Sequence, residues 1–255
     1  IGRAVMSIGS RRRLRALISE NVIDVAYVLH VYHQLGTAIL DELDDHNIPF
    51  VLSLHDYKIS CPNYRLFSER SGKICTKCLD RDLASLTAPA LERCWSNSAT
   101  AGLMLSTESL FTRIRHSYQK ADVVTVLNEL QFKSAIRAGV EQSRITTFWH
   151  PVELQTDRRQ SAVGDYFLYV GRLVPEKGVE NIIRVVAEGG FRLIVAGDGR
   201  ERPYLEKLVL ELGAAVEFVG VQDADNVARL MRASIAVVVP SIWHEVSPLV
   251  VLEEI

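Results

Sequence analysis

The sequence lacks a charge excess of either sign, a long apolar run and any low-complexity segment. Its 255 residues include 29 Lys and Arg against 31 Asp and Glu, a formal net charge of −2. A general nucleic-acid or anionic-membrane binder would carry a basic excess, so this balance argues against both classes. No apolar run approaches the roughly 18 residues of a membrane-spanning helix. Hydrophobic residues make up 48% of the chain, which excludes intrinsic disorder as its main state.

The two ends of the sequence also lack the usual signals. The chain begins with Ile1 instead of an initiator Met, and no apolar signal core follows. Its last residues, Glu253-Glu254-Ile255, fall within a helical pattern that has no cap. A natural C-terminus could end in this way, but we expect the chain to be a fragment of a longer protein, incomplete at both ends.

What the chain contains is an alternation of apolar, strand-like runs with amphipathic helical stretches. The strand-like runs are rich in Val, Ile and Phe, as in a parallel sheet that is buried on both faces. The predicted strands are Asp24–Val31, Pro49–Leu54, Val123–Val126, Ile145–Phe148, Tyr166–Val170, Arg192–Ala196, Ala215–Val219 and Ile235–Val239. The predicted helices are Gly36–Asp45, Glu129–Ala138, Val179–Glu188, Glu201–Leu212 and Asn226–Arg232. This order predicts an α/β fold of doubly wound, Rossmann-like sheets.

Two segments interrupt the alternation and divide the chain. Residues 57–98 carry all four cysteines and little periodicity, so we predict an insertion there. Residues 151–165 have the polar composition of a linker. We therefore predict a partial N-terminal domain over residues 1–150 and a partial C-terminal domain over residues 166–255. Two such domains would face a cleft, which is the usual ligand site of this architecture.

The first candidate ligand-binding segment follows the predicted strand Tyr166–Val170. Gly171 allows a sharp backbone turn at the strand end, and Arg172 and Lys177 then project near the start of a helix. Helix N-termini and cationic side chains both favour an anion such as phosphate. Taken alone, the segment could also be a solvated turn with two surface cations.

The second candidate segment follows the predicted strand Ile235–Val239. Glu245 lies in the loop at the strand end, and Glu253 lies about two turns into the next helix. One carboxylate could face the reacting end of a ligand while the other accepts hydrogen bonds from ribose hydroxyls. The backbone N–H groups near Leu249 and Val250 could cradle a phosphate. The alternative is an acidic loop followed by a solvated Glu.

Taken together, the glycine-rich and acidic segments at successive strand ends resemble a known family. They are Gly171-Arg172-x4-Lys177-Gly178, Val195-Ala196-Gly197-Asp198-Gly199, Phe218-Val219-Gly220, Pro240-Ser241 and Glu245-x7-Glu253. Their order resembles the donor domain of the retaining GT-B glycosyltransferases of family 4, also called glycosyl transferases group 1. In the first half, two segments are similar to one bacterial subset of that group, Leu54-His55-Asp56-Tyr57-Lys58 and Cys61-Pro62-Asn63-Tyr64.

This resemblance implies catalytic and donor-binding roles for individual residues. Arg172 and Lys177 would bind the nucleotide diphosphate. Glu245 would contact the transferred sugar, Glu253 would hold the ribose, and His55 would meet the reacting sugar from the first domain. The other residues of the donor site would be Gly171, Val221, Val246, Ser247, Pro248, Leu249 and Val250. Two further histidines are candidates for the same cleft, His30 and His33.

The reaction that the resemblance implies is the transfer of a hexose-like sugar from a nucleotide diphosphate sugar to an acceptor hydroxyl, with retention of configuration. Two cations and helix N–H groups would stabilise the departing diphosphate, so no metal ion would be required for catalysis. The expected partners are the sugar donor and a glycan or lipid-linked acceptor. The expected setting is bacterial polysaccharide or glycolipid assembly on the cytoplasmic side of the inner membrane.

Two other functions stay open from the sequence. One is a non-catalytic nucleotide-sugar-binding or zinc-stabilised interaction module. The other is phosphorolysis by a GT-B enzyme, which would ordinarily need a cofactor lysine that we do not identify. Peripheral membrane contact is a further alternative, because the basic run Arg11-Arg12-Arg13-Leu14-Arg15 could touch an anionic membrane face. A solvated helix face would explain the same run.

Two Asp-x-Asp patterns could indicate a metal site of the kind used by glycosyltransferases of the other major fold. They are Asp80-Arg81-Asp82 and Asp223-Ala224-Asp225. The second is better explained as a helix cap followed by an acidic residue in the first turn. We expect neither pattern to hold a catalytic metal.

All four cysteines lie in one irregular segment, as Cys61-x13-Cys75-x2-Cys78-x15-Cys94. A Cys-x2-Cys pair with two flanking cysteines fits a tetrahedral structural zinc site. In the absence of a secretion signal we expect a reducing compartment, which disfavours two disulfides. Structural zinc, free thiols and disulfides all stay open, and zinc would pin a long loop that lacks a core of its own.

Overall fold

In the computed structural model the chain divides into two compact units, Ile1–His150 and Pro151–Ile255. The described residues are 8–29, 31, 35–68, 70–149 and 164–253, and for residues 8, 252 and 253 only the backbone is described. The predicted linker lies outside these residues except for its last two positions, and His30 and His33 lie outside them entirely. Each unit is built on its own four-stranded sheet with parallel strand pairs. The α/β prediction is therefore confirmed.

The first unit contains a parallel sheet and a separate antiparallel ribbon. The strand order of the sheet is β1 (Ala26–Val28), β2 (Phe50–Ser53), β5 (Val123–Val126) and β6 (Ile145–Thr147). The ribbon pairs β3 (Phe67–Ser68) with β4 (Lys73–Ile74). The helices are α1 (Ile8–Glu20), α2 (Ala38–Asp45), α3 (Ala84–Leu91), α4 (Ala99–Ile114) and α5 (Glu129–Arg137). Short 3-10 turns lie at Ser117–Lys120 and Gln142–Arg144.

The second unit is a parallel sheet whose first strand lies in its interior. The strand order is β10 (Ala236–Val237), β7 (Phe167–Val170), β8 (Arg192–Ala196) and β9 (Ala215–Gly220). The helices are α6 (Val179–Gly189), α7 (Arg202–Leu212), α8 (Ala224–Ala233) and α9 (Leu249–Glu253), and a 3-10 turn lies at Pro175–Lys177. Because β7 pairs with β10 on one side and β8 on the other, the strand order reverses at β7. Ligands of such sheets bind at this switch point, beyond the carboxyl ends of the strands.

Both faces of the second sheet are buried, which explains why its strands are apolar at successive positions. On one face Val195 packs with Ile183 of α6 and Leu205 of α7. On the other face its neighbour Ile194 packs with Met231 of α8. Successive residues of a strand point to opposite faces, so β8 contributes to two cores at once. The helices that cover the two faces make this unit doubly wound.

The basic helix α1 is joined to α2 by ion pairs. Nε of Arg11 lies 2.7 Å from Oε2 of Glu42, and Nε of Arg15 lies 2.7 Å from Oε1 of the same carboxylate. The Glu42 side chain is completely buried. The hydrogen bond from Arg15 has the largest effect on the pKa of Glu42 and lowers it. Burial acts in the opposite direction, but a second hydrogen bond from Arg11 also lowers the pKa, which is therefore below its usual value. Two of the arginines of the basic run therefore serve the internal packing of the first unit.

The segment over residues 57–98, predicted to be an insertion with little periodicity, contains regular secondary structure. The ribbon β3–β4 and helix α3 lie inside this segment, and α4 follows it. Helices α3 and α4 pack together at Gly102, where a Cβ atom would lie 2.1 Å from the backbone oxygen of Pro89. Glycine adds no apolar side chain to a helical pattern, and proline usually marks the end of a helix. The sequence pattern therefore did not reveal these two helices. The other predicted strands and helices are present, with ends that differ by a few residues.

The Asp-x-Asp patterns have structural roles. The Asp223 side chain accepts a hydrogen bond from the backbone N–H of Asn226 at 2.8 Å and is the N-cap of α8, which confirms the capping interpretation. In the first pattern, Asp82 accepts a hydrogen bond from the backbone N–H of Ser85 at 2.8 Å, at the start of α3. Among the helices of the described ranges, none combines the length and the apolar character needed to cross a membrane.

Candidate functional site

Three loops meet beyond the carboxyl ends of the second sheet, and backbone hydrogen bonds hold them together. They follow β7, β8 and β10 and span residues 171–178, 197–201 and 240–248. Leu173 N donates to the carbonyl of Asp198 at 2.9 Å, which joins the first loop to the second. Ile242 N donates to the carbonyl of Glu176 at 3.0 Å, which joins the third loop to the first. The predicted phosphate-binding and acidic segments therefore form one structural site at the switch point.

Two glycines permit the close approach of these loops. At Gly178, which has a φ of 65°, a Cβ atom would lie 2.2 Å from the backbone oxygen of Pro240. At Gly197, which has a φ of 141°, a Cβ atom would lie 1.9 Å from the backbone oxygen of Gly171. Both positions combine a conformation that side chains rarely adopt with a lack of space for one. Gly178 and Gly197, which both belong to the quoted sequence pattern, are therefore required by the contact between the loops.

Lys177 and Glu245 form an ion pair that connects the loop after β7 with the loop after β10. Nζ of Lys177 lies 2.6 Å from Oε1 of Glu245, and the two side chains are only 20% and 19% exposed. The Ser241 hydroxyl donates a hydrogen bond to the same Oε1. The Trp243 ring lies under the ammonium group, with 5.5 Å between Nζ and the ring centroid, a cation–π contact. The two residues are 68 positions apart in the sequence, and the structure brings them into direct contact.

The charges at this ion pair are set by competing effects. Burial raises the pKa of Glu245, but hydrogen bonds led by those from Lys177 and Ser241 outweigh it, and the resulting pKa is lowered. Glu245 is therefore a carboxylate at neutral pH. The nearby Tyr169 hydroxyl donates to the carbonyl of Arg172 at 2.8 Å. Burial and the Glu245 charge raise the pKa of Tyr169, so this phenol stays a neutral donor.

The other predicted donor-site residues occupy different environments. The Arg172 side chain is exposed and takes part in no ion pair within the described ranges. Val221, after β9, is 78% exposed. Val250 packs in the core beside α8, so only its backbone could serve a ligand. The remaining residues before or within α9 are partly buried, apart from the exposed Leu249: Val246, Ser247 and Pro248. Glu253 ends α9, and its side chain lies outside the described residues.

In the first unit His55 lies just beyond the end of β2 and is oriented by a short polar chain. The Thr125 hydroxyl donates to Oγ of Ser53 at 2.8 Å, and Oγ of Ser53 lies 3.1 Å from Nε2 of His55. His55 lines a small surface pocket together with Asp56 and Lys58. His55 therefore lies at the carboxyl end of a strand of the parallel sheet, as the sequence predicted.

The turn that carries His55 is fixed by a residue that sequence reasoning missed. Gln131 of α5 is completely buried. Its Nε2 donates to the carbonyls of Leu54 and Asp56 at 3.0 and 3.1 Å, and its Oε1 accepts from the backbone N–H of Leu127 at 2.8 Å. Nothing in the local spacing distinguishes this glutamine from a solvated residue in the first turn of a helix.

The four cysteines are brought together by the fold. All are unbridged, and all line one cavity: Cys61, Cys75, Cys78 and Cys94. Burial, followed by the proximity of the other cysteines, raises the pKa of Cys94 to about 12 and that of Cys78 further. Within the described ranges, no three His, Cys, Asp or Glu side chains are arranged to hold a metal ion. The thiols therefore share a cavity without converging on one point.

Comparisons with known proteins show that parts of this chain are similar in sequence to glycosyltransferases. Residues 155–255, less than half of the chain, match the model of the family Glycosyl transferases group 1. Alpha-D-kanosaminyltransferase of Streptomyces kanamyceticus is 38% identical over 93 residues, which cover 34% of this chain and 24% of that protein. The GDP-mannose-dependent alpha-mannosyltransferase of Mycobacterium tuberculosis is 27% identical over 159 residues, which cover 58% of this chain and 40% of that protein.

The fold is similar to that of a solved structure over nearly the whole chain. The crystal structure of Anabaena HepE in complex with UDP and glucose matches with a TM-score of 0.59 and 17% identity, covering 96% of this chain and 59% of HepE. At this identity the likeness concerns the fold, and it supports the GT-B class. The chain spans less than half the length of the curated relatives that it matches.

A pair of glycine substitutions tests the contact between the loops. Gly178 and Gly190 have nearly the same φ, 65° and 64°, but a Cβ atom at Gly190 would meet nothing within 4 Å. Gly190→Ala should lower the free energy of unfolding by about 1–2 kcal/mol, through backbone strain alone. Gly178→Ala should lower it by about 1–3 kcal/mol more, because the loop at Pro240 must move. Urea denaturation of both variants measures this difference, and equal losses would contradict the contact.

The lowered pKa of Glu245 predicts a dependence on pH and on Lys177. Stabilisation by the Glu245 carboxylate should be complete above its ordinary value of 4.5 and be lost as the pH falls through the lower value in the folded protein. Lys177→Met should raise this pKa, because burial then acts with less opposition. Carbon-13 NMR titration of the Glu245 carboxyl, assigned with Glu245→Gln, measures it. Lys207→Met, a change at a side chain that is 75% exposed on α7, is the control. An unchanged Glu245 pKa in Lys177→Met would disprove the assignment.

Proposed function

We propose that the full-length protein is a retaining, metal-independent GT-B glycosyltransferase of family 4 that moves a sugar from a nucleotide diphosphate sugar to an acceptor hydroxyl. The observation that carries this proposal is the Lys177–Glu245 ion pair at the switch point of the second sheet. It lies within the segment that matches a glycosyltransferase family. One relative is named as dependent on GDP-mannose and HepE was crystallised with UDP, so both bases are candidates for the donor.

The donor diphosphate would be held by two cations of the loop after β7. Lys177 has three N–H donors, of which one is directed to Glu245, so it can donate to phosphate oxygens without leaving the carboxylate. The exposed Arg172 guanidinium can bind a phosphate through two parallel hydrogen bonds. Negative charge grows on the diphosphate as the bond to the sugar breaks. Stabilising this charge is the main demand of the reaction. Cations that are already in position meet this demand, so no catalytic metal ion is needed.

The sugar and the ribose would be held by carboxylates, and the acceptor side by the first unit. Glu245 would accept hydrogen bonds from hydroxyls of the transferred sugar, and Glu253 would accept them from the ribose. His55, oriented through Ser53, would meet the reacting sugar. The acceptor would be a glycan or a lipid-linked glycan, and we place the reaction on the cytoplasmic side of the membrane in polysaccharide or glycolipid assembly. The resemblance in sequence supports these assignments.

Calorimetric titration of the full-length protein with UDP, GDP and ADP tests the donor site. We expect one nucleotide to bind selectively, and Arg172→Ala and Glu253→Ala each to weaken that binding at least about tenfold, a loss of about 1.4 kcal/mol. Lys207→Ala removes an exposed cation of α7 that pairs only with Glu211 in the described ranges, and it should leave the affinity unchanged. A folded full-length protein that binds none of the three nucleotides would refute the proposal.

The rate of transfer tests the role of Lys177. Lys177→Met should lower the turnover of the full-length protein about a hundredfold, or about 3 kcal/mol, because a contact that strengthens on departure of the diphosphate is lost. Transfer should persist when Mg²⁺ and Mn²⁺ are omitted. Nucleotide binding without any transfer would favour a non-catalytic binding module, and sugar phosphate formed from inorganic phosphate would favour phosphorolysis. Unchanged turnover of Lys177→Met would exclude the proposed role of this residue.

A further inference from the structure

The cavity lined by the four cysteines joins three separate parts of the first unit. Cys61 lies in the segment after β2, close to the turn that carries His55. Cys75 directly follows β4, and Cys78 lies in the next turn. Cys94 lies just beyond α3. A ligand bound by all four would therefore tie the sheet, the ribbon and the helical pair together.

Backbone hydrogen bonds fix the chain on the N-terminal side of three of these thiols. Cys61 N donates to the carbonyl of Tyr57 at 2.7 Å. Cys75 N donates to the carbonyl of Leu66 at 2.8 Å, and Cys94 N donates to the carbonyl of Pro89 at 3.0 Å. The cysteines are thus presented by ordered turns and strand ends.

The charges around the cavity suit an anionic metal–thiolate centre. A zinc ion with four thiolates carries a net charge of −2, and a buried charge of this kind requires compensation. Three cations act electrostatically on the cysteines, Lys58 on Cys61, Arg65 on Cys94 and Arg113 on Cys78. Lys77 also lies near the cluster and pairs with Glu92. Cations next to the cavity would offset part of the negative charge of such a centre.

Part of the segment lies outside the core of the first sheet. Leu66 and Phe67 are buried, but neither belongs to the apolar cluster around the first sheet. Small substructures without a large core are commonly stabilised by a metal ion or by disulfides. Thiolate ligands select zinc, and a set of four cysteine ligands forms a closed tetrahedral structural site.

We propose that Cys61, Cys75, Cys78 and Cys94 bind one structural zinc ion. Neutral thiols gain nothing by converging, whereas zinc displaces their protons and draws them to a common centre. The ion would stabilise the β3–β4 ribbon against α3. It would also hold the segment in which Nζ of Lys58 donates to the carbonyl of Pro62 and pairs with Glu108 of α4, each at 2.8 Å. The turn with His55 would then have a fixed support on its C-terminal side.

Elemental analysis of the full-length protein, expressed with zinc and purified without chelator, tests this site. We expect about one zinc ion per chain, with X-ray absorption showing four sulfur ligands at about 2.3 Å. Cys75→Ser and Cys78→Ser should each reduce the zinc content to near zero. Glu92→Gln is the matched control, because Glu92 lines the same cavity and is not a proposed ligand. Its zinc content should equal that of the parent protein.

A second measurement covers the case in which the serine variants fail to fold. A thiol reagent added to the parent protein should release zinc in proportion to the cysteines modified. Hydrogen exchange should then accelerate over residues 57–98 but not over residues 166–253. Folded protein without zinc, zinc retained in folded Cys75→Ser, bound iron in place of zinc, or disulfides between these cysteines would each overturn the proposal. None of these results bears on nucleotide binding, so the two proposals can fail separately.

Discussion

The contact between the backbones of Gly178 and Pro240 is the constraint on which the candidate donor site depends. It places the chain next to Lys177 against the start of the loop that carries Glu245. The parallel pairing of β7 with β10 aligns the two strand ends from which these loops emerge. This close approach of the backbones is accompanied by an ion pair in which Nζ of Lys177 and Oε1 of Glu245 lie 2.6 Å apart. The geometry of the ion pair is therefore a consequence of sheet topology and of one glycine.

The first unit fixes its own polar turn by different means. There the backbone after β2 is held by the side chain of Gln131, which donates hydrogen bonds to the carbonyls of Leu54 and Asp56. A side-chain clamp of this kind is lost when Gln131 is replaced by a residue without an amide, whereas the backbone hydrogen bonds of Leu173 and Ile242 in the second unit do not depend on which side chain is present, unless it is proline. The turn after β2 in the first unit is thus held by side-chain hydrogen bonds, and the loops of the second unit are joined by backbone hydrogen bonds.

The features that could be predicted from the sequence are those that follow from strand topology. Apolar runs without alternation indicated strands buried on both faces, and parallel strands bring their carboxyl ends to one edge, so Lys177 and Glu245 could be assigned to one site. The direct ion pair could not be foreseen, because loop conformation depends on contacts between distant backbones. Helix α4 was not predicted because it contacts α3 through Gly102, a residue without a side chain, and such a contact adds no apolar residue to the sequence pattern. Gln131 escaped because burial of a polar residue leaves no periodic signal.

An ion pair at the centre of the proposed anion-binding site is at first sight counterproductive, since Glu245 neutralises Lys177. The ion pair nevertheless reduces the cost of burying the lysine and also fixes the position of its ammonium group. An unpaired lysine that is four-fifths buried would be costly to desolvate and free to rotate, whereas the carboxylate and the Trp243 ring hold its ammonium group in one place. Two of its three donors remain for other acceptors. Because the cation is already positioned, little reorganisation is needed when negative charge develops nearby, and this preorganisation is what makes electrostatic stabilisation effective in catalysis.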